Sequence, residues 1–403
     1  MNLANINWKK GLNKAIIISL YIFALSTFTS KGLASLGGGF AIIFWLVLVL
    51  IKNKNYNFRS TPLDKPIIVF AIGILITGAT NIGDSDIYLL TIVLFYVIVN
   101  TVRDIKHIKR LIYITMISMG LATTYGFYQH YHLNMGRIVS FMSSLAFGGV
   151  LATILMFTLT YIIWGQTSYR NKALLILSSI LMGMALIFTK TRGAWLGFIG
   201  GLTSIGWLKD KRIVAVFIIL IIAISFVLPQ TYINRFKSSF YLTKYKSNTT
   251  RIALWQTALE MFKDNPLTGV GIGRYSIAYE NNYKQPNLRT FDHVHNNFLQ
   301  FLAEGGLIVF IPFCWLMLKI FMLLYKGYNH IYNHKWQLFI LASLGAFIVF
   351  NIQGLTQCNF EDTETIRFFW YLTALDVIIV SKFSDLFDHD SEINETVITD
   401  GSD

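Results

Sequence analysis

The feature that most constrains this chain recurs along its whole length. Runs of about 20 apolar residues, enough for a helix to cross the hydrocarbon core of a bilayer, are separated by short clusters of Lys and Arg. Twelve such runs can be cut from the 403 residues: 15–30, 34–51, 65–82, 86–101, 111–128, 140–165, 174–189, 193–208, 213–229, 305–325, 337–353 and 366–381. In lipid, backbone N–H and C=O groups find no water, so each run must satisfy its own hydrogen bonds, and a helix does that. The expected fold class is an all-α polytopic membrane protein with about 12 transmembrane helices. Composition agrees, because 54% of residues are apolar and only 14% charged, against roughly 25% charged in a soluble domain. The two cysteines, Cys314 and Cys358, cannot staple a secreted disulfide fold. The apolar fraction excludes a disordered chain.

The net charge of +13 invites a nucleic-acid reading, but the cations lie between hydrophobic spans and not on the face of a soluble module. They report orientation instead. Nineteen Lys and Arg fall in alternate short loops (Lys9 to Lys14, Lys52 to Lys65, Arg103 to Arg110, Arg170 and Lys172, Lys209 to Arg212, Lys326 and Lys335, Lys382). The opposite short loops hold five: Lys31, Arg137, Lys190, Arg192 and Arg367. Both termini are therefore expected in the cytoplasm. The chain divides into 1–229 with spans one to nine, a long outer loop at 230–304, spans ten to twelve within 305–381, and a short acidic tail at 382–403. The first run is not expected to be a cleaved signal, because another span follows it at once.

The outer loop carries patterns of its own. Tyr232, Phe236 and Phe240 fall at i, i+4 and i+8, interleaved with cations, which suits an amphipathic helix at the membrane interface. A second helix over 251–263 is expected, capped by Thr249 or Thr250. Its apolar stripe would be Ile252, Trp255, Leu259 and Phe262, and Asn265-Pro266 would end it. Nine Lys and Arg against five acids leave the loop cationic. A cationic surface over a membrane fits an anionic, lipid-linked substrate.

Candidate chemistry concentrates there. Arg192, in Thr191-Arg192-Gly193-Ala194-Trp195, sits between two spans with almost no loop. A cation so placed is either a snorkelling anchor or an anion clamp, since the planar guanidinium matches phosphate oxygens. Arg251 opens the second loop helix and reads either as a solvated charge or as a further clamp. Asp292-His293-Val294-His295-Asn296-Asn297 lies just before the tenth span. A neutral imidazole there can accept a proton at neutral pH, it can be purely structural, or the pair can ligate a metal, although no compact third ligand follows. Glu361, Asp362 and Glu364 either neutralise arginines or hold an acceptor sugar. Gly269-Val270-Gly271-Ile272-Gly273 is no dinucleotide fingerprint without a βαβ unit. No Walker A sequence points to ATP, and no Gly-x-Ser-x-Gly to a serine hydrolase.

Taken in order, Thr191 to Trp195, Arg251 through Pro266-Leu267-Thr268-Gly269-Val270-Gly271, His293 to Leu299, and Glu304-Gly305-Gly306 resemble the bacterial O-antigen ligase (WaaL-type) superfamily. That superfamily also contains O-antigen polymerases and protein O-oligosaccharyltransferases. The resemblance is strongest over 185–310. It implies a metal-independent, inverting glycosyltransferase of the GT-C type in the bacterial inner membrane, working at its periplasmic face without a cofactor. The implied donor is a polysaccharide on undecaprenyl diphosphate, the acceptor a sugar hydroxyl of lipid A–core, and the surroundings membrane lipids; neither nucleic acid nor ATP is implied as a partner. Carried over, His295 matches the catalytic base and Arg192 and Arg251 the diphosphate-binding arginines. Arg137 fits a weaker position near the cavity, and His293 one that relatives fill variably.

O-antigen ligase is the expected activity, with an O-antigen polymerase joining undecaprenyl-linked units as the alternative. A protein O-oligosaccharyltransferase is disfavoured because those resemble ligases with a large added outer domain. A twelve-span secondary transporter fits the span count but not the gathering of polar residues at the outer rim.

Overall fold

Each of the twelve apolar runs falls largely within a helix among the described residues. The structure is a computed structural model that describes residues 3–52, 56–78, 82–241, 244–285, 288–384 and 386. The helices are α1 (Leu3–Ser26), α2 (Lys31–Lys52), α3 (Asp64–Gly78), α4 (Ile82–Thr101), α5 (Ile105–Tyr131), α6 (Ser144–Trp164), α7 (Tyr169–Phe188), α8 (Arg192–Lys209) and α9 (Lys211–Val227). The outer segment adds α10 (Gln230–Lys237), α11 (Lys246–Asp264) and α12 (Tyr275–Ala278), and α13 (Asn297–His330), α14 (His334–Gly354) and α15 (Thr363–Phe383) follow. No strand occurs among the described residues. Six helices there are long and apolar enough to cross a membrane: α2, α5, α6, α7, α13 and α14. The other expected spans are helical but shorter or richer in charge. The acidic tail beyond Ser384 lies outside the described residues, apart from Leu386.

Packing places α14 at the centre, against α6, α8, α13 and α15, and its buried face runs from Trp336 to Gly354. The periphery is inverted relative to a soluble protein. On α7, Leu174, Leu177 and Ile180 are exposed, and α9 has no buried residue at all. A contiguous apolar exterior of this kind needs a lipid solvent.

Contacts between distant loops sort the two ends of the bundle. At one end Lys31 pairs with Glu364 at 2.8 Å, and Tyr88 donates to Glu361 at 2.6 Å. At the other, the Arg59 amide donates to Asn100, Lys382 reaches the Arg103 carbonyl, and Tyr161 reaches that of Lys335. Each contact joins loops that the charge pattern assigns to one side.

Several boundaries differ from expectation: α1 begins at Leu3, not 15, and three others lie in or next to the outer segment. The helix containing the tenth span begins at Asn297, not 305, and breaks at Gly306 (φ 53°, ψ −156°). The segment 266–271 docks into that break. Val270 and Gly271 donate to the carbonyls of Ala303 and Glu304, while Leu307 and Ile308 donate to those of Pro266 and Leu267. Backbone groups orphaned by the break are thus satisfied. Only glycine fits here, because a Cβ on Gly306 would lie 2.4 Å from the Leu267 carbonyl and one on Gly269 2.4 Å from Glu304.

Helix α11 starts at Lys246, with Tyr245 as its N-cap residue, so the threonines sit inside its first turns and do not cap it. Asn248 explains the earlier start, since its amide donates to the carbonyls of Ser238 and Tyr241, and tertiary bonds outweigh a local cap. The buried face of α11 is Leu254, Thr257, Ala258 and Met261, not the stripe through Leu259, which is 42% exposed. Small Ala258 lets the helix approach Tyr275 and Tyr279, with which this face forms a second core. Helix α10 ends at Lys237, so Phe240 follows it, though Phe236 and Phe240 still meet edge to face at 5.6 Å.

Candidate functional site

The His-Asn-Asn motif builds one half of the site. Asn296 caps α13 by accepting from the amides of Phe298 and Leu299, and its own amide group donates to the Leu355 carbonyl. Asn297 accepts from the Asn359 backbone at 2.7 Å. Together they pin the α14–α15 loop against the start of α13. That loop delivers Gln357, whose Oε1 lies 3.1 Å from His295 Nδ1, while its Nε2 donates to Asp362 at 3.2 Å.

This chain of contacts selects a tautomer. An ionised Asp362 only accepts, so the Gln357 amide turns its NH2 towards it and its oxygen towards His295. The oxygen then takes the Nδ1 proton, which His295 shares with His293 Nε2 at 3.1 Å. His295 Nε2 is left as the basic nitrogen, with no hydrogen bond among the described residues. The ring is presented by a backbone in the left-handed region, φ 58°, uncommon for a non-glycine residue and a frequent mark of functional strain. Burial, then the neighbouring His293 and Arg251, hold the His295 imidazolium down to about 3. Burial likewise lowers His293 and raises the Asp362 carboxyl to about 6.

The other half is cationic. Lys190, Arg192, Arg235 and Arg251 line a narrow cleft, and Gln357 forms part of the same wall. Gln357 therefore touches both the imidazole and the cation cleft. Arg192 is 6% exposed, and its fork is engaged: Nη1 donates to the carbonyl and hydroxyl of Ser238, Nη2 to Ser247 and Asn248. Arg251 forms no hydrogen bond or ion pair among the described residues. Burial, followed by Arg235 and Arg137, pulls its pKa down.

The expected site residues thus fall in adjoining places. His295, His293, Arg192 and Arg251 gather at one end of the bundle. Arg137 stands just behind, donating to the Thr189 carbonyl and the Thr191 hydroxyl and so propping the turn that carries Arg192. Of the acidic cluster, Glu364 pairs with Lys31, Glu361 accepts from Tyr88, and Asp362 supports Gln357. Gln357 and Arg235 were not picked out from the sequence. Gln357 carries no signal there, whereas Arg235 stood among the interleaved cations of the first loop helix.

Helices long and apolar enough to cross a membrane thus end beside a cleft lined by four cations, with two partly buried histidines next to it. Residues 177–314 match the family model described as O-Antigen ligase, in agreement with the resemblance read from the ordered motifs. The matched segment contains Arg192, Arg251, His293 and His295, and ends before Gln357. Among curated proteins, the chain is 23% identical to the Teichuronic acid biosynthesis protein TuaE of Bacillus subtilis, over 93% of this chain and 85% of that one. It is also 25% identical to an uncharacterized protein of Haemophilus influenzae, over 62% of this chain and 64% of that one.

Proposed function

We propose that this protein is an O-antigen ligase with twelve spans of the GT-C type in the bacterial inner membrane, its termini cytoplasmic and its site periplasmic. In this reading it transfers a polysaccharide from undecaprenyl diphosphate to a sugar hydroxyl of lipid A–core. The observation that carries the reading is the cleft lined by Lys190, Arg192, Arg235 and Arg251, sharing Gln357 with His295.

The acceptor oxygen attacks the anomeric carbon, and its proton passes to His295 Nε2. The bond from that carbon to the phosphate oxygen breaks, and its electron pair leaves on the diphosphate. Attack opposite the leaving group inverts the anomeric centre. Fixed guanidinium groups stabilise the departing charge because they need no reorganisation as it develops. The low proton affinity of His295 is set in part by Arg251. A bound diphosphate opposes that charge and raises the proton affinity of the base once the donor is in place.

The acceptor has a second reading. A relative that aligns with 93% of the chain is named for teichuronic acid biosynthesis, a polymer other than lipopolysaccharide. That favours considering a polymerase, in which a second undecaprenyl-linked glycan is the acceptor.

The deciding experiment supplies purified protein with undecaprenyl-diphosphate-linked glycan and either rough lipopolysaccharide or a second lipid-linked glycan. Product on the first acceptor identifies a ligase and on the second a polymerase. His295→Ala is expected to lower transfer by roughly 10²–10⁴-fold, the usual contribution of a general base. Undiminished transfer by this variant removes His295 as the base, and transfer abolished by a chelator restores the metal reading.

A further inference from the structure

The amphipathic helix α10 brings one of the four cations, Arg235, into the cleft. Arg192 lines that cleft, but both of its terminal nitrogens are spent on Ser238, Ser247 and Asn248. Arg137 is spent in part on the Thr189–Thr191 turn and does not line the cleft. The situation of Arg235 is different. Its one hydrogen bond is a long one, 3.4 Å, from Nε to the Lys190 carbonyl, and its two terminal nitrogens have no partner among the described residues. No carboxylate pairs with Arg235 among the described residues.

The position of α10 suits a lipid headgroup. Tyr232 lies against Phe188 at 6.1 Å and Phe236 against Trp195 at 6.4 Å, so the helix is fastened by aromatic rings across the ends of α7 and α8. Aromatic rings prefer the headgroup level of a bilayer. Charges that crowd one another without a counter-ion destabilise an empty site, and an anion relieves them. Burial lowers the Arg235 pKa, and Arg235 in turn lowers those of Arg251 and Arg137.

We infer that Arg235 is a second guanidinium ligand of the donor diphosphate alongside Arg251, while Arg192 holds the seat together. Two free forks match the two phosphoryl groups of a diphosphate, each able to accept a bidentate contact. This inference rests on the cleft being the donor site.

Binding is measured with the purified full chain in detergent, using undecaprenyl diphosphate as the probe, with undecaprenol, inorganic pyrophosphate and phosphatidylglycerol in parallel. Arg235→Ala is expected to weaken undecaprenyl diphosphate binding by roughly tenfold to a hundredfold, the range for a charged hydrogen bond. Arg235→Lys is expected to fall between, and the exposed Lys237→Ala on the same helix to bind normally. Undecaprenol binding is expected to be equal in all variants, and pyrophosphate to compete with the lipid. Normal binding by Arg235→Ala, with loss in Arg251→Ala, overturns the inference and leaves the donor reading standing. Normal binding by both variants overturns the donor reading and the inference with it. Phosphatidylglycerol bound as tightly and with the same dependence on Arg235 overturns it in favour of a general anionic-lipid site. If thermal melting shows Arg235→Ala to be misfolded, Arg235→Lys decides, and undiminished binding by it overturns the inference.

Discussion

His295 is held against the preference of its own backbone, at a strain of order 1–3 kcal/mol for a left-handed non-glycine residue. What holds it is the capped start of α13 on one side and Gln357 on the other. A consequence is testable in the pH dependence of kcat/KM. Because the imidazolium is held down to about 3, the base stays unprotonated far below the usual histidine value of about 6.5. Asp362 is raised to about 6, so it takes up a proton as the pH falls through that value and no longer fixes Gln357. A shallow step near pH 6 is therefore expected ahead of the main acid limb, and Asp362→Asn is expected to remove it. A step that persists in that variant would assign it to another group. His295 and the arginines were legible in the sequence because they are costly residues in costly places. Gln357 was not, because a glutamine in a loop is ordinary and its partner is 62 residues away.

At the scale of elements, runs of apolar residues located the helices, since that signal is local and long. The ends were less legible, because α1 and α13 continue into polar sequence that a hydropathy reading discards. Helix α11 was misread in its face for another reason. Its sequence carries two apolar stripes, and only the packing of Tyr275 and Tyr279 decides between them. The break at Gly306 offers the sharpest test. Gly306→Ala forces a side chain into a left-handed conformation and against the Leu267 carbonyl. A loss of at least about 1–3 kcal/mol is expected, visible as a lower Tm in detergent and faster proteolysis between 266 and 271. An unchanged Tm would mean that the docked segment does not depend on this glycine.

For the molecule as a whole, the Lys and Arg pattern sets an expected sidedness, and the cross-loop contacts described above agree with its grouping of the loops. Which end faces the cytoplasm is tested with Lys237→Cys and Arg212→Cys in a background lacking Cys314 and Cys358. A membrane-impermeant thiol reagent applied to intact cells is expected to label the first and spare the second. The reverse result would invert the proposed topology. The α14–α15 loop has a further consequence, for biogenesis. Arg192, Arg251 and His295 leave the ribosome long before Gln357 and Asp362, and Lys31 waits for Glu364 until α15 is made. A nascent chain thus carries its histidine before Gln357 is there to orient it, although Arg192 already has Ser238, Ser247 and Asn248. The contacts that orient His295 are complete only when the loop before the last helix has been made.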